Sequence, residues 1–546
     1  MSKLDPLASP PVTIAVLRFV VIPAAGLVAA GIVTRLARSA AWESRLGRCA
    51  GRAVAGAVLL GVVGFGSLLA ARYLTWHSFV FDLGSYDQKV WLASTRADIS
   101  SMFEQTYRGG VKVSPCGTPR YWGICHFQPL YVLYALLYQV WASPLVLLGL
   151  QAVVVASGVV PCFLLARARL RSTAAGALAA PLYFLQPAVQ FNGLLDFRPD
   201  HIAIPFFLWA YWLADRERAP AAVGATLVPA LAKESLLLSF ACFGLYLAAS
   251  RRRFFLGLGV ALVGCVVFYV AAFQVLAGPG RSEGSFMIGR YLSGESALLS
   301  PGLAARKLLY VAALFGPLGF LPLLSPLTLL PAVPSLAVSL LSNDITHASI
   351  QSQYSAAVIG PLFAALFEAL GRVTKRLGRR STPVSLLTGL IVLSASVSFA
   401  LGPTPLSLNF WSARWGGHWH YTQYLPDRQS VLDEAERMIP TDPDVMVVAQ
   451  NDVNSARLAH RHLYFAFPNG LERADFVVLD QRREPFVYWV PEYALYEGIV
   501  RRLRSDPAYR PVLDREGVLV LTRAGDRHPG PPDPALAPPP PGTMPR

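Results

Sequence analysis

Charge is what this chain has least of. Asp, Glu, Lys and Arg supply 15% of its 546 residues while hydrophobic side chains supply 54%, and a soluble domain carries about 25% charged residues. A water-soluble globule is excluded for most of the length. What remains is an α-helical polytopic membrane protein. Cysteine is scarce as well, with six in the chain, and neither a CxxC nor an HExxH spacing occurs. That absence removes the common zinc patterns. No internal repeat of transporter type is visible. The net charge of +15 would suit a nucleic-acid partner, but the basic residues fall in short clusters between apolar runs, where they set membrane orientation instead. No nucleic acid is expected.

What is present is a succession of apolar runs. Spans are expected over 12–34, 53–71, 144–166, 174–191, 202–214, 254–276, 354–370 and 384–401, with two short helices in 220–249 and a proline-rich pair in 308–341. That makes about twelve transmembrane helices. Alternating sides along the chain puts the basic clusters at 35–52, 167–171, 216–218, 251–253 and 372–380 in the cytoplasm, as the positive-inside rule requires. The chain then divides into an extra N-terminal helix with an Arg-rich loop (1–52), a membrane core (53–401) with an outer loop at 72–128, an extracytoplasmic α/β domain (402–525) and a disordered proline-rich tail (526–546). Arg18 lies inside the first run, so that helix either spans or rests on the surface. In the last domain, 430–439 and 493–503 read as helices, and 444–449, 462–465, 474–480 and 518–522 as strands.

Polar residues at membrane depth are expensive and usually line a wet or functional cavity. Five groups of them recur at the outer ends of spans: Asp82, Asp87 and Gln88; His126; Asn192, Asp196, Arg198, Asp200 and His201; Lys233 and Glu234; and Asn343, Asp344, His347, Gln351, Gln353 and Tyr354. Singly, each has a plainer explanation. Asp82 suits a turn cap, the two histidines suit the interface, Lys233 and Glu234 suit a simple ion pair, and the last group suits a solvated loop. Their common side is what those explanations leave out. Residues 130–141 are amphipathic and too short to span, which suits a helix lying in the interface. Cys116 and Cys125 share the outer loop and could form a disulfide there. In the C-terminal domain, His460 and Asp480 belong to no nucleophile elbow or phosphate loop.

FDLGSYDQKVW, HFQPLYVLYALLYQVWASPLVLLGLQA, DFRPDHIAIP, LAKE, QYSAAVIGPLFAAL and ADFVVLD together resemble the membrane family catalogued as domain of unknown function 2079 (DUF2079), over roughly Tyr73 to Leu521. Two positions depart from that pattern: Arg198 replaces a histidine, and Ser235 replaces an acid. The family in turn resembles GT-C fold glycosyltransferases, whose first outer loop carries an acidic motif and an interfacial helix. The resemblance implies a GT-C type, polyprenyl-phosphate-sugar-dependent glycosyltransferase at the outer face of a bacterial plasma membrane, acting on an envelope glycan, lipid or protein. Asp82 would be the catalytic base with Asp87 second, Arg198 and Lys233 would hold the donor phosphate, and Glu234 would keep Lys233 charged. Gln88, His126, Asp196, His201, Gln353 and Tyr354 would support them. No cofactor is required, though the acids could hold a divalent cation. A transporter or flippase, or a non-catalytic assembly protein that binds lipid carriers, is the alternative.

Overall fold

The computed structural model describes residues 14, 16–36, 40–78, 80–96, 106–108, 111–113, 126–250, 253–276, 301–342, 346–378, 382–411, 426–450, 453, 455–468, 470–481 and 493–524. Cys116, Cys125, Asn343, Asp344 and the tail at 526–546 lie outside them. The longer helices of the first half are α1 (Leu17–Leu36), α2 (Glu43–Leu74), α3 (Ser85–Arg96), α4 (Tyr131–Val140), α5 (Pro144–Leu170), α6 (Thr173–Leu185), α7 (Pro187–Leu194), α8 (Ala203–Asp215) and α9 (Ala219–Ala230). Those of the second half are α10 (Glu234–Ser250), α11 (Phe254–Phe273), α12 (Pro301–Phe315), α13 (Pro326–Leu341), α14 (Gln353–Leu377), α15 (Pro383–Leu401), α16 (Pro426–Met438) and α17 (Tyr493–Ser505).

Apolar runs must close their backbone hydrogen bonds internally in a bilayer, so they coil. Among the described residues, α1, α2, α5, α11, α14 and α15 are long and apolar enough to cross a membrane. The other expected spans form shorter helices, and in two of the runs the breaks coincide with proline. The run over 174–191 breaks at Gln186, ahead of Pro187, into α6 and α7. The run over 308–341 is cut into short helical pieces around Pro317, Pro322, Pro326 and Pro331. Apolar side chains such as Ile32, Leu60, Val63, Phe255 and Leu262 point outward, as a lipid-facing surface requires.

The first helix runs antiparallel along α15. Gly26 faces Ser396, and Gly389 faces Thr34. Arg18 is buried, and its Nε donates to the carbonyl of Ala400 at 2.9 Å. Carbonyls at a helix end lack an intrahelical partner and carry the negative end of the dipole, so the charge inside the run is compensated there.

Beyond α15 the chain builds a five-stranded mixed sheet from β3 (Val447–Ala449), β4 (Tyr464–Ala466), β5 (Phe476–Asp480), β6 (Tyr509–Arg515) and β7 (Val518–Arg523), in the order β4-β3-β5-β7-β6. A separate hairpin pairs β1 (Thr106–Arg108) with β2 (Val111–Val113). In the larger sheet, β3 runs parallel to both its neighbours, while β7 is antiparallel to β5 and β6. Glu516 and Gly517 join β6 to β7 with φ of 52° and 76°, the two positive values a tight primed turn needs. Trp76, just past the end of α2, is buried against Val431, Leu432 and Ala435 of α16 and against sheet residues. The membrane bundle thus contributes a side chain to the core of the C-terminal domain.

Candidate functional site

The site is assembled where α2 ends. Trp76 adopts a left-handed φ of 60° and stops the helix, and Arg72 one turn earlier ties the exit down. Its Nη1 donates to the Leu194 carbonyl at 2.5 Å, and its Nη2 lies 3.2 Å from the His77 carbonyl and 3.4 Å from Asp196. The chain then makes a wide turn over Val80–Gly84 before α3 begins. Asp82 sits in that turn.

The loop from α7 to α8 is organised by Gln151 of α5. Its Nε2 donates to the Leu195 carbonyl at 2.5 Å and to the Asn192 carbonyl at 3.3 Å, while its Oε1 accepts from the Arg198 amide at 3.3 Å. This delivers the Arg198 guanidinium to Asp82, with which it forms an ion pair, and over the Tyr86 ring at 5.6 Å. Two residues on, Asp200 lies 3.4 Å from Lys233 Nζ. Lys233 in turn stands 5.4 Å over the Tyr354 ring, and Tyr354 meets His347 edge-on at 4.2 Å. The Asn192 amide donates to Ser355 Oγ at 2.8 Å. Glu234 accepts from His126 Nδ1 at 2.8 Å and from the Phe127 amide at 3.0 Å.

Each of the five polar groups therefore contributes at least one residue to this constellation. Lys233 and Glu234, neighbours in the chain, take different direct partners: Lys233 precedes α10 and lies nearest Asp200, while Glu234 opens α10 and accepts from His126. Gln353 is buried at the start of α14. Asp82 reaches Arg198 directly, and Lys233 pairs with Asp200, two residues further along the same loop. His201 is buried, and among the described residues neither of its ring nitrogens has a hydrogen-bond partner; the same holds for Asp200 Oδ2, Asn192 Oδ1 and both amide atoms of Gln128.

Asp87 and Gln88 face another way. The fully buried Asp87 carboxylate accepts at Oδ1 from the Tyr138 hydroxyl at 2.5 Å and from His460 Nε2 at 2.9 Å. Gln88 Nε2 donates to the Arg461 carbonyl at 3.2 Å. His460 and Asp480, which the sequence leaves without partners, both have them, since Asp480 is buried in an ion pair with Arg428. Sequence reasoning also passes over Arg72, Lys89 and Tyr86. Lys89 is buried with its ammonium 5.3 Å from the Tyr86 ring and 5.9 Å from the Tyr131 ring. The KVW that follows Asp87 and Gln88 was the available signal for it.

Chemically the constellation offers carboxylates and cations in alternation, at the end of the bundle that carries the C-terminal domain. An arriving anion can compete with Asp82 for Arg198, and with Asp200 for Lys233. A divalent cation would need several hard ligands on one point. Among the described residues no three His, Cys, Asp or Glu side chains gather in that way; Asp82, Asp196 and Asp200 face Arg198, Arg72 and Lys233, and Glu234 faces the His126 ring.

A family model described as "Predicted membrane protein (DUF2079)" matches residues 72–520. No curated protein matches. Among solved structures, the crystal structure of ArnT from Cupriavidus metallidurans bound to undecaprenyl phosphate aligns with a TM-score of 0.50 and 13% identity, over 88% of this chain and 99% of that one. The apo state of the same protein gives 0.46 and 13% over 86% and 98%. The arabinofuranosyltransferase AftD from Mycobacteria gives 0.43 and 12% over 88% and 40%. The fold is GT-C-like, with a small C-terminal sheet.

Proposed function

Because the chain belongs to the DUF2079 family of predicted membrane proteins, we propose that it is a membrane glycosyltransferase that moves a sugar from a polyprenyl-phosphate donor to an acceptor hydroxyl. The reaction takes place on the outer face of a bacterial plasma membrane, with the C-terminal domain on that same side and an envelope glycan, lipid or protein as acceptor. The observation that carries this reading is the meeting of Asp82 with Arg198, beside the Lys233 and Asp200 pair. An acid and a fork-shaped cation that lie far apart in the chain share one point.

The chemistry follows from that pairing. A guanidinium binds a phosphate through two parallel hydrogen bonds, and an ammonium binds it as a point charge. When the donor phosphate engages Arg198 and Lys233, the Asp82 carboxylate loses its counter-charge and can accept a proton. The acceptor oxygen then forms a bond to the anomeric carbon as the bond from that carbon to the phosphate oxygen breaks. The electron pair leaves with the phosphate, and the acceptor proton goes to Asp82. Attack from the face opposite the leaving group inverts the anomeric centre. No step requires a metal ion.

The test is incubation of the protein in nanodiscs with a panel of polyprenyl-phosphate sugars, scored by donor consumption and by thermal shift. Consumption of one donor by the native chain, and its loss in Asp82→Asn with the fold intact, supports the proposal. If no donor binds or is consumed, the transferase reading fails.

A further inference from the structure

The second acidic residue of the α3 segment is held by a side chain of the C-terminal domain. Segment 455–462 lies against α3, and His460 enters between two aromatic rings. It stacks on Trp91 at 5.6 Å with 10° between planes and meets Tyr138 of α4 edge-on at 6.1 Å. From there its Nε2 donates to Asp87 Oδ1 at 2.9 Å. The neighbouring Arg461 carbonyl holds Gln88, and the His462 ring packs on the other ring contact of Trp91 at 5.6 Å. Three consecutive residues of the soluble domain thus grip three positions on the buried side of one short helix. That helix begins immediately after the turn that carries Asp82.

We infer that His460 is a positioning residue: through Asp87 it clasps α3 and thereby fixes the turn that presents Asp82 to Arg198. For its effect on turnover the inference rests on the transferase reading; the clasp itself does not. Asp87, engaged by both Tyr138 and His460, then acts as the anchor of the turn and not as a second base. The C-terminal domain becomes a part of the site's framework.

The clasp has a built-in dependence on pH. Burial works against a charge on His460, but the Asp87 carboxylate and its hydrogen bond outweigh burial and raise the imidazole above its ordinary range, with Arg461 opposing. The other titratable and charged groups at this junction are the Tyr138 hydroxyl, which donates to Asp87, the Tyr73 and Tyr464 hydroxyls in the field of the same carboxylate, and the His462 imidazole on Trp91, whose Nδ1 lies 2.6 Å from Asp444 and 2.7 Å from Arg96. A raised folded-state value means that the charged clasp is complete below the ordinary imidazole range and is lost as pH rises through the His460 value.

The deciding experiment is hydrogen exchange on the full chain in nanodiscs, read at amides 83–92 and normalised for intrinsic chemical exchange, from about pH 6 to about pH 9. In the native chain, protection of these amides should fall as pH rises. His460→Ala should raise their exchange about tenfold at the acid end and remove the pH dependence, while the sheet strands keep native protection. His460→Gln retains an N–H donor for Asp87 and should keep protection without the pH response; it also carries the test if the alanine variant fails to fold. A native profile flat in pH, or native protection in His460→Ala, overturns the clasp. Donor consumption measured on the same samples separates the two ideas. Altered exchange with no consumption by the native chain sinks the transferase reading alone. Consumption with unaltered exchange sinks the clasp alone.

Discussion

Two clusters of buried charge sit at opposite ends of the helix bundle, and they are built on different principles. At the end away from the C-terminal domain, Arg169 of α5 donates from all three of its nitrogens. Its Nε and Nη2 go to Asp215 at 2.8 and 3.2 Å, its Nη1 goes to the Ala364 carbonyl at 2.7 Å, and Glu368 stands 3.8 Å away. Glu368 in turn accepts from Thr328 and from Arg372. This cluster ties α5, α8 and α14 together and has nothing left for a ligand. At the other end Asp82, Arg198, Asp200 and Lys233 are paired, yet His201, Asn192 and Gln128 keep buried polar atoms that find no partner among the described residues. Buried polar atoms without partners cost free energy, and such costs are tolerated where binding recovers them. Satisfaction, more than charge itself, separates a structural clamp from a candidate site. It also weighs against a polar path running from one face to the other, which the transporter alternative would need.

That contrast can be broken most sharply at Asp82. Asp82→Asn should reduce transfer by about 10²- to 10⁴-fold, the usual share of a general base, with an unchanged melting temperature in nanodiscs. An equally large loss of stability would move Asp82 into the structural class. At the opposite end the expectation reverses: Arg169→Met strands Asp215 in the bundle and should cost about 3–5 kcal/mol of stability, measured by thermal or denaturant unfolding, while donor affinity per folded molecule stays native. Arg198→Lys keeps the charge but loses the two-pronged contact. Donor binding should weaken by about 1.5–3 kcal/mol, roughly tenfold to a hundredfold, as titration of donor against protein intrinsic fluorescence would reveal. The smallest effect is expected at His201. His201→Leu removes two unsatisfied nitrogens, so stability should rise by about 1 kcal/mol while donor affinity falls. A destabilised His201→Leu with native affinity would contradict the distinction drawn between the two ends.

Much of the outer cluster was legible in the chain because it follows from local chemistry. Polar residues at membrane depth have few reasons to be there, and charge alternation along the chain put all five groups on one side. The break between α9 and α10 at Lys233 was readable from a run too long for one crossing and basic at both ends. The partners were not readable. Glu234 meets His126 across 108 residues and His460 meets Asp87 across 373, and such pairings depend on how helices cross, which no local pattern encodes. In the sheet, β6 escaped notice because Pro511 cannot donate to a ladder; it is tolerated at the sheet edge, where the register shifts between Pro511 and Leu513. The breaks inside the proline-rich runs were less legible, since a sequence can be apolar for 30 residues or so without staying helical throughout.

The contact between Arg18 and Ala400 has a consequence for how the protein is made. The cation emerges from the ribosome 382 residues before the carbonyl that accepts its hydrogen bond, an interval of roughly 20 to 80 s at ordinary rates of synthesis. Throughout that time the first helix carries a guanidinium that hydrocarbon rejects, so it must wait at the bilayer margin or beside insertion machinery. The hydrogen bond that holds Arg18 in the finished fold forms only after α15 has been made, so a helix synthesised first is among the last to be fastened.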